Sequence, residues 1–115
     1  MRNTTSFDFG DLVLVSFPFT DQTTFKKRPA VVISSSEYNR SRPDVIVMAV
    51  TSRTDRLHRL GEVLVVEWRL ANLLKPSVIK PILTTLDKSL VIRRLGSLAD
   101  EDRASLKDSI SMILG

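Results

Sequence analysis

Short apolar runs, each ended by proline, glycine or polar residues, make up most of this chain and constrain it to a fold built largely from strands. Asp11–Phe17 (DLVLVSF) is rich in β-branched residues and lies between Gly10 and Pro18, and proline cannot continue a sheet ladder. Runs of this length and composition predict strands rather than helices. The predicted strands are Asp11–Phe17, Arg28–Ser34, Val45–Val50, Glu62–Glu67, Ser77–Thr85 and Ser89–Leu95.

One segment, Asp100–Leu114, has the period of an amphipathic helix and an acidic first turn that suits the helix dipole. Helical turns are also expected near Ser36 and over Trp68–Leu74, and Pro81 predicts an edge or a bulge in the fifth strand. Several short strands followed by one helix predict a mainly β fold with a C-terminal helix (α+β), organised as a small barrel or sandwich. The apolar stripe of the helix consists of Leu106, Ile110, Ile113 and Leu114.

Composition limits both the number of domains and the kinds of site. With 115 residues, 43% of them apolar, residues 1–115 are expected to form one domain, of which the polar segment 1–8 is expected to be flexible. No transmembrane run or secretory signal is visible, so we expect a cytoplasmic protein without membrane contact. The absence of cysteine and the single histidine, His58, leave no disulfide and no visible metal site, and no cofactor is expected.

A basic residue and a hydroxyl are predicted to meet across the second and third strands. If these strands are antiparallel and Ser34 faces Val45, the residue numbers of each facing pair add up to 79, and Arg28 faces Thr51. The Cβ atoms of facing residues lie about 5 Å apart. A register slip of one residue would bring Ser52 there instead and turn its side chain to the other face.

The loops beside this pair are basic, and the net charge of +4 favours a polyanionic partner such as RNA. A cationic rim next to a strand pair fits a phosphate track, although loop charges are often merely solvated. Phe19 and Phe25 are candidates for stacking on bases, whereas Phe17 is expected in the core. The basic rim comprises Lys26, Lys27, Arg53, Arg56, His58 and Arg59.

Other kinds of catalytic site are disfavoured by the sequence. It contains neither a G-x-S-x-G elbow nor a glycine-rich phosphate loop, and its carboxylates are scattered apart from the start of the terminal helix. Hydrolysis by a metal, a serine triad or paired carboxylates is therefore not expected.

Several motifs together resemble one family, that of the MazF/PemK toxins of type II toxin-antitoxin systems. The resemblance extends from about Phe9 to Leu114, and the order and spacing of the motifs are more specific than any one of them. Asn72 stands where glycine is common, which a left-handed backbone would tolerate, and Ala99 stands where a helix cap is common, so the cap is expected at Ser97 or Asp100. The matching motifs are FGDLVLV with FPFTD (Phe9–Asp21), KRPAVVIS (Lys27–Ser34), AVTS (Ala49–Ser52), LANL with PSV (Leu70–Val78) and LGSL (Leu95–Leu98).

The resemblance implies an SH3-like β-barrel of the CcdB/MazF type that forms a homodimer, cleaves single-stranded RNA without a metal or cofactor, and is blocked by an acidic antitoxin. It places Arg28 and Thr51 at the catalytic arginine and threonine of the family. Arg28 would stabilise charge on the phosphate while the RNA 2′-hydroxyl attacks, leaving a 2′,3′-cyclic phosphate and a 5′-hydroxyl. Thr51 would orient the reacting groups with help from Ser52, and His58 is a general-base candidate only if its loop folds inward.

Two other functions remain open from the sequence. A gyrase poison resembling CcdB would share this barrel, but such toxins carry a tryptophan near the C-terminus, and this chain ends in SMILG. The second alternative is a catalytically silent barrel that only binds RNA or a partner protein. The presence of both Arg28 and Thr51 argues against this alternative.

Overall fold

Six antiparallel strands form one curled sheet in the computed structural model, which describes residues 6–18, 25–54 and 59–115. Their order in the sheet is β4-β5-β3-β2-β1-β6. A short helix α1 (Ser36–Ser41) connects β2 to β3, a 3₁₀ turn (Lys88–Leu90) precedes β6, and helix α2 (Asp100–Leu114) ends the chain. The strands are β1 (Asp11–Pro18), β2 (Phe25–Val32), β3 (Asp44–Thr51), β4 (Val63–Val65), β5 (Ser77–Asp87) and β6 (Val91–Ser97).

The second strand begins and ends earlier than its sequence predicts. It starts at Phe25 instead of Arg28 because its ladder with β1 continues as far as the pair Pro18 and Phe25. It ends before Ser34 because that hydroxyl enters a local network, accepting the Ile46 N–H at 3.0 Å and donating to the Asn39 side chain. The helical turn predicted near Ser36 is confirmed as α1.

The expected helix over Trp68–Leu74 is wrong, because residues 66–72 form a series of turns. Asn72 has a left-handed backbone with φ of 62°, as its place in the motif predicts, and the Leu73 N–H bonds back to the Trp68 carbonyl at 3.0 Å. The fourth strand stops at Val65 rather than Glu67, since the N–H groups of Val66 and Glu67 both donate to the buried Asp102 carboxylate, at 3.0 and 2.9 Å.

The core consists of two apolar clusters, one on each face of the sheet. Successive residues of a strand point to opposite faces and paired residues share a face, so each cluster can be assigned to one face. One face, which we call the helix face, holds Leu12, Val31, Met48 and Ile79 and is covered by Leu106 of α2 and by the turns after β4. On the other, which we call the opposite face, Val15, Ala30 and Val47 pack beneath Phe7, Leu90 and Val91. Residues 1–5 lie outside the described part of the segment 1–8, and Phe7 is buried.

Helix α2 has the predicted bounds and, with one exception, the predicted contacts. Leu106 is fully buried, and Ile110 and Ile113 pack at the edge of the same cluster. Leu114 is 65% exposed, contrary to the predicted stripe: it is the last residue of α2 and lies about 100° around the helix from Ile113, which packs against the core. The predicted cap at Ser97 or Asp100 is also wrong, since Ala99 is the N-cap residue and makes no side-chain bond. No helix in the described part of the chain is long and apolar enough to cross a membrane.

The turns after β4 reach the strand at the other edge of the sheet and close it into a small barrel of the expected SH3-like kind. The Asn72 side-chain amide donates to the Leu95 carbonyl at 2.9 Å. Gly96 is packed so tightly that an added Cβ would lie 2.5 Å from the Ala71 carbonyl oxygen. Pro81 falls at a register shift between β5 and β3, so the predicted bulge is confirmed.

Candidate functional site

A cleft of about 410 Å³ opens on the opposite face, beyond the end of its apolar cluster. Apolar groups from three strands line part of it, among them Phe17 of β1, Pro29 of β2 and Ile82 of β5. Cations, hydroxyls and one carboxylate line the rest, so the described wall combines charge with apolar surface. These polar residues are Arg28, Arg53, Lys80, Thr51, Thr84 and Glu62.

The register that brings Arg28 and Thr51 together is the predicted one. The pairs Ala30 with Ala49 and Val32 with Val47 have residue numbers that add up to 79, and the Ile33 N–H bonds to the Ile46 carbonyl in the same register. The ladder itself ends at Ala30 and Ala49; the same register, extended by two residues, would set Arg28 opposite Thr51, and both residues line the cleft. Ser52, the alternative under a slipped register, is exposed and does not line the cleft.

Thr51 is fixed at the end of β3, where it pairs with Val78 of β5. Its Oγ1 accepts the Arg53 N–H at 3.2 Å, which leaves its own O–H free to donate toward the cleft. The Arg28 side chain is exposed, and the pairing of Arg28 with Val15 places it on the opposite face of the sheet, the face that carries the cleft. The site therefore offers a permanent cation and an oriented hydroxyl in the wall of one cleft.

The predicted basic rim divides between the two faces of the sheet. Lys26 pairs with Phe17 and so shares the face of the cleft, whereas Lys27 pairs with Ser16 and turns to the other face. Arg53 lines the cleft, and Arg59 is exposed at the end of the following loop. Phe19, Arg56, His58 and the side chain of Phe25 lie outside the described part of the structure.

The sequence reasoning missed an ion pair in the cleft wall. Lys80 Nζ lies 2.7 Å from Glu62 Oε2, and the Glu62 side chain is only 8% exposed. The other carboxylate oxygen accepts the Arg59 N–H at 3.2 Å. The signal that could have found this pair is the β4–β5 register, since the pairing of Val63 with Ile79, extended by one residue, sets Glu62 opposite Lys80.

A second charged group lies where β3 and β5 meet at their other ends. Arg42 Nε bonds to Asp44 Oδ1 at 3.1 Å, and hydrogen bonds from Arg42 and Tyr38 lower the pKa of the Asp44 carboxyl. Hydrogen bonds from Ser89 lower the pKa of Asp87, which pairs with Asp44 across the strands. Among the described residues, no three histidine, aspartate or glutamate side chains are grouped closely enough to hold a metal ion.

Comparison with known proteins identifies the family. A family model described as a PemK-like, MazF-like toxin of type II toxin-antitoxin systems matches residues 8–114. A chain of the MazE–MazF crystal structure from Deinococcus radiodurans is 25% identical, with 96% of this chain and 97% of that chain covered and a TM-score of 0.77. No curated protein sequence matches the chain closely enough to count as a relative.

Two mycobacterial structures are similar in fold. An endoribonuclease from a mycobacterial species is 17% identical, covers 99% of this chain and 96% of its own, and has a TM-score of 0.77. An endoribonuclease solved in complex with its cognate antitoxin is 18% identical, covers 94% of each chain and has a TM-score of 0.76. Because the family model covers almost the whole chain, the protein belongs to the PemK-like, MazF-like toxins of type II toxin-antitoxin systems.

Proposed function

We propose that this toxin is an endoribonuclease that cleaves single-stranded RNA without a metal ion. One observation carries the proposal: Arg28 and Thr51, from adjacent strands, line one cleft in a chain of this family. The mycobacterial structures that share the fold are described as endoribonucleases. Binding at this cleft would hold an RNA phosphate where charge develops during cleavage.

In the proposed reaction the RNA supplies its own nucleophile. The 2′-oxygen attacks the adjacent phosphorus, the bond from phosphorus to the 5′-oxygen breaks, and the products carry a 2′,3′-cyclic phosphate and a 5′-hydroxyl. Arg28 remains cationic at neutral pH, so it stabilises negative charge on the phosphate oxygens rather than taking a proton. The Thr51 hydroxyl donates to the phosphate or orients the 2′-hydroxyl, and Ser52, the next residue in the chain, assists it from outside the cleft lining.

Two kinds of protein partner belong to the proposal. A cognate antitoxin with an acidic, apolar-interspersed segment would fit the cationic cleft, and the Deinococcus relative was solved as a MazE–MazF structure. A homodimer is supported by large apolar side chains that stay exposed around the turns after β4, including Leu70 at 69% and Leu74 at 93%. Light scattering that gives a monomer of 12.9 kDa at micromolar concentration would contradict the dimer.

The test is cleavage of purified RNA with and without EDTA, followed by analysis of the new ends. We expect unchanged rates in EDTA and 2′,3′-cyclic phosphate ends, and an RNA with 2′-deoxyribose at the cut site should resist cleavage. Cleavage that stops in EDTA and returns with magnesium would contradict the metal-free mechanism. A folded protein that cuts no RNA and arrests no growth when expressed alone would contradict the function.

A further inference from the structure

The cleft contains a carboxylate that the proposed roles of Arg28 and Thr51 do not use. Glu62 precedes β4, lines the cleft and has a side chain that is only 8% exposed. Burying an ionised carboxylate is costly unless charged or hydrogen-bonding partners compensate for the lost water. Lys80 from β5 and the Arg59 N–H supply that compensation, at 2.7 and 3.2 Å. The structure therefore holds an ion-paired carboxylate in the wall of the same cleft that Arg28 and Thr51 line.

Cleavage by a 2′-hydroxyl needs a group that removes its proton. Arginine is a poor proton acceptor because its pKa is above about 12, and a threonine hydroxyl is not basic at neutral pH. Among the described residues that line the cleft, Glu62 is the one carboxylate. Each carboxylate oxygen can accept more than one hydrogen bond, so a hydrogen-bonded carboxylate can still take a proton.

We propose that Glu62 accepts the proton of the attacking 2′-hydroxyl and that Lys80 positions its carboxylate, an inference that rests on the proposed function. The 2′-oxygen gives its proton to Glu62 as its bond to phosphorus forms. The bond from phosphorus to the 5′-oxygen breaks, and this oxygen takes a proton from water. The protonated Glu62 then returns its proton to the hydroxide that remains, which restores the ion pair with Lys80.

The first test is the single-turnover cleavage rate of Glu62→Gln as a function of pH. General-base catalysis contributes about 100- to 10,000-fold, and we expect a loss in this range with RNA affinity little changed. The wild-type rate should fall at low pH as the carboxylate is protonated, and the variant should lose this acid limb. Glu101→Gln, an exposed glutamate in the first turn of α2, removes the same charge away from the cleft and should keep the wild-type rate.

The second test uses Lys80→Gln, which removes the cation and keeps a polar side chain. Among the described residues, Arg28 and Arg53 are the other cations that line the cleft with Glu62. Loss of the adjacent cation favours the protonated carboxyl, so the midpoint of the acid limb should move to higher pH. A purely structural ion pair would change stability without moving this midpoint. His58→Asn should leave the acid limb in place.

Each result decides between the two proposals. If wild-type protein cuts no RNA, the proposed function fails and this inference fails with it. If wild-type protein cuts RNA and Glu62→Gln keeps the acid limb, or His58→Asn abolishes it, only the role of Glu62 is overturned. If Glu62→Gln does not fold, as circular dichroism would reveal, the Lys80→Gln profile decides, and an unmoved midpoint overturns the inference.

Discussion

The two faces of the sheet arise from the same strands, yet one is closed and the other is partly open. On the helix face, Leu106 of α2 covers a continuous apolar cluster. On the opposite face the apolar cluster extends over only part of the strands, and beyond Ala30 the same alternation leads to Arg28 in the cleft. Strand periodicity alone therefore does not separate core from site. What separates them is whether another element covers the position.

This comparison predicts that changes on the two faces affect different properties. Replacement of Arg28 by alanine should reduce cleavage by about 100- to 1,000-fold, as removal of one transition-state donor typically does, with the fold unchanged. Lysine at this position should restore activity only in part, because it lacks the planar fork of the guanidinium. Cleavage rates together with thermal unfolding provide the measurement, and Arg40→Ala, which removes an exposed cation of α1, is the control. Full activity in a folded Arg28→Ala protein would place the site elsewhere.

On the helix face, Leu106→Ala should reduce stability instead of chemistry. Leu106 is fully buried, and leucine-to-alanine changes in cores cost about 2–5 kcal/mol of unfolding free energy. Urea unfolding measures the loss, while the folded fraction should cleave RNA at the wild-type rate. Met112→Ala, at an exposed position of the same helix, is the matched control. A large loss of activity per folded molecule would show that the two faces are coupled.

Asp102→Ala should have a smaller effect, confined to the junction between α2 and the turns after β4. It removes the acceptor of the Val66 and Glu67 N–H groups, which are only partly buried, so water can replace the carboxylate and the loss should be about 0.5–1.5 kcal/mol per hydrogen bond. Hydrogen exchange should speed up at these two amides before it does so in β2 and β3. Equal acceleration throughout the sheet would mean that the junction does not open separately.

The smallest expected effect is a pH dependence at the Asp44 and Asp87 end of the sheet. The folded-state pKa of Asp87 is lowered by its bonds from Ser89, so its stabilising contribution is present above the unfolded value of about 3.9. It is lost as the pH falls through the lower folded-state pKa. Asp87→Asn should therefore reduce the difference in unfolding free energy between neutral and acidic pH. An unchanged pH dependence in Asp87→Asn would contradict this assignment.

Features that depend on local periodicity were predictable from the sequence. The bounds of α2 follow from its apolar spacing, and the register between β2 and β3 is the one assumed for these two adjacent strands, while the slipped register that would have used Ser52 is not found. The turns over residues 66–72 were not predictable in this way. Their backbone donates to Asp102, more than thirty residues later, and no local pattern encodes that bond.

The same limit explains why Glu62 and Lys80 were missed. Each is a single charged residue in a strand-like segment, and a charged side chain in such a segment usually points into water rather than pairing with another charge. Only the pairing of β4 with β5 brings them together. Pairings between strands separated by a loop depend on the whole fold, so the charged network of a cleft is harder to predict than its strands.

The position of Asp102 also affects how the barrel meets other chains. An edge strand with unpaired N–H groups can recruit a foreign strand, which leads to aggregation. β4 is an edge strand of only three residues, and the next two backbone donors, at Val66 and Glu67, are already taken by this carboxylate. A side chain of the last helix thus protects the edge of the sheet. A foreign strand that approached this edge would therefore find few backbone donors to pair with, although the opposite face of the same sheet carries an open cleft.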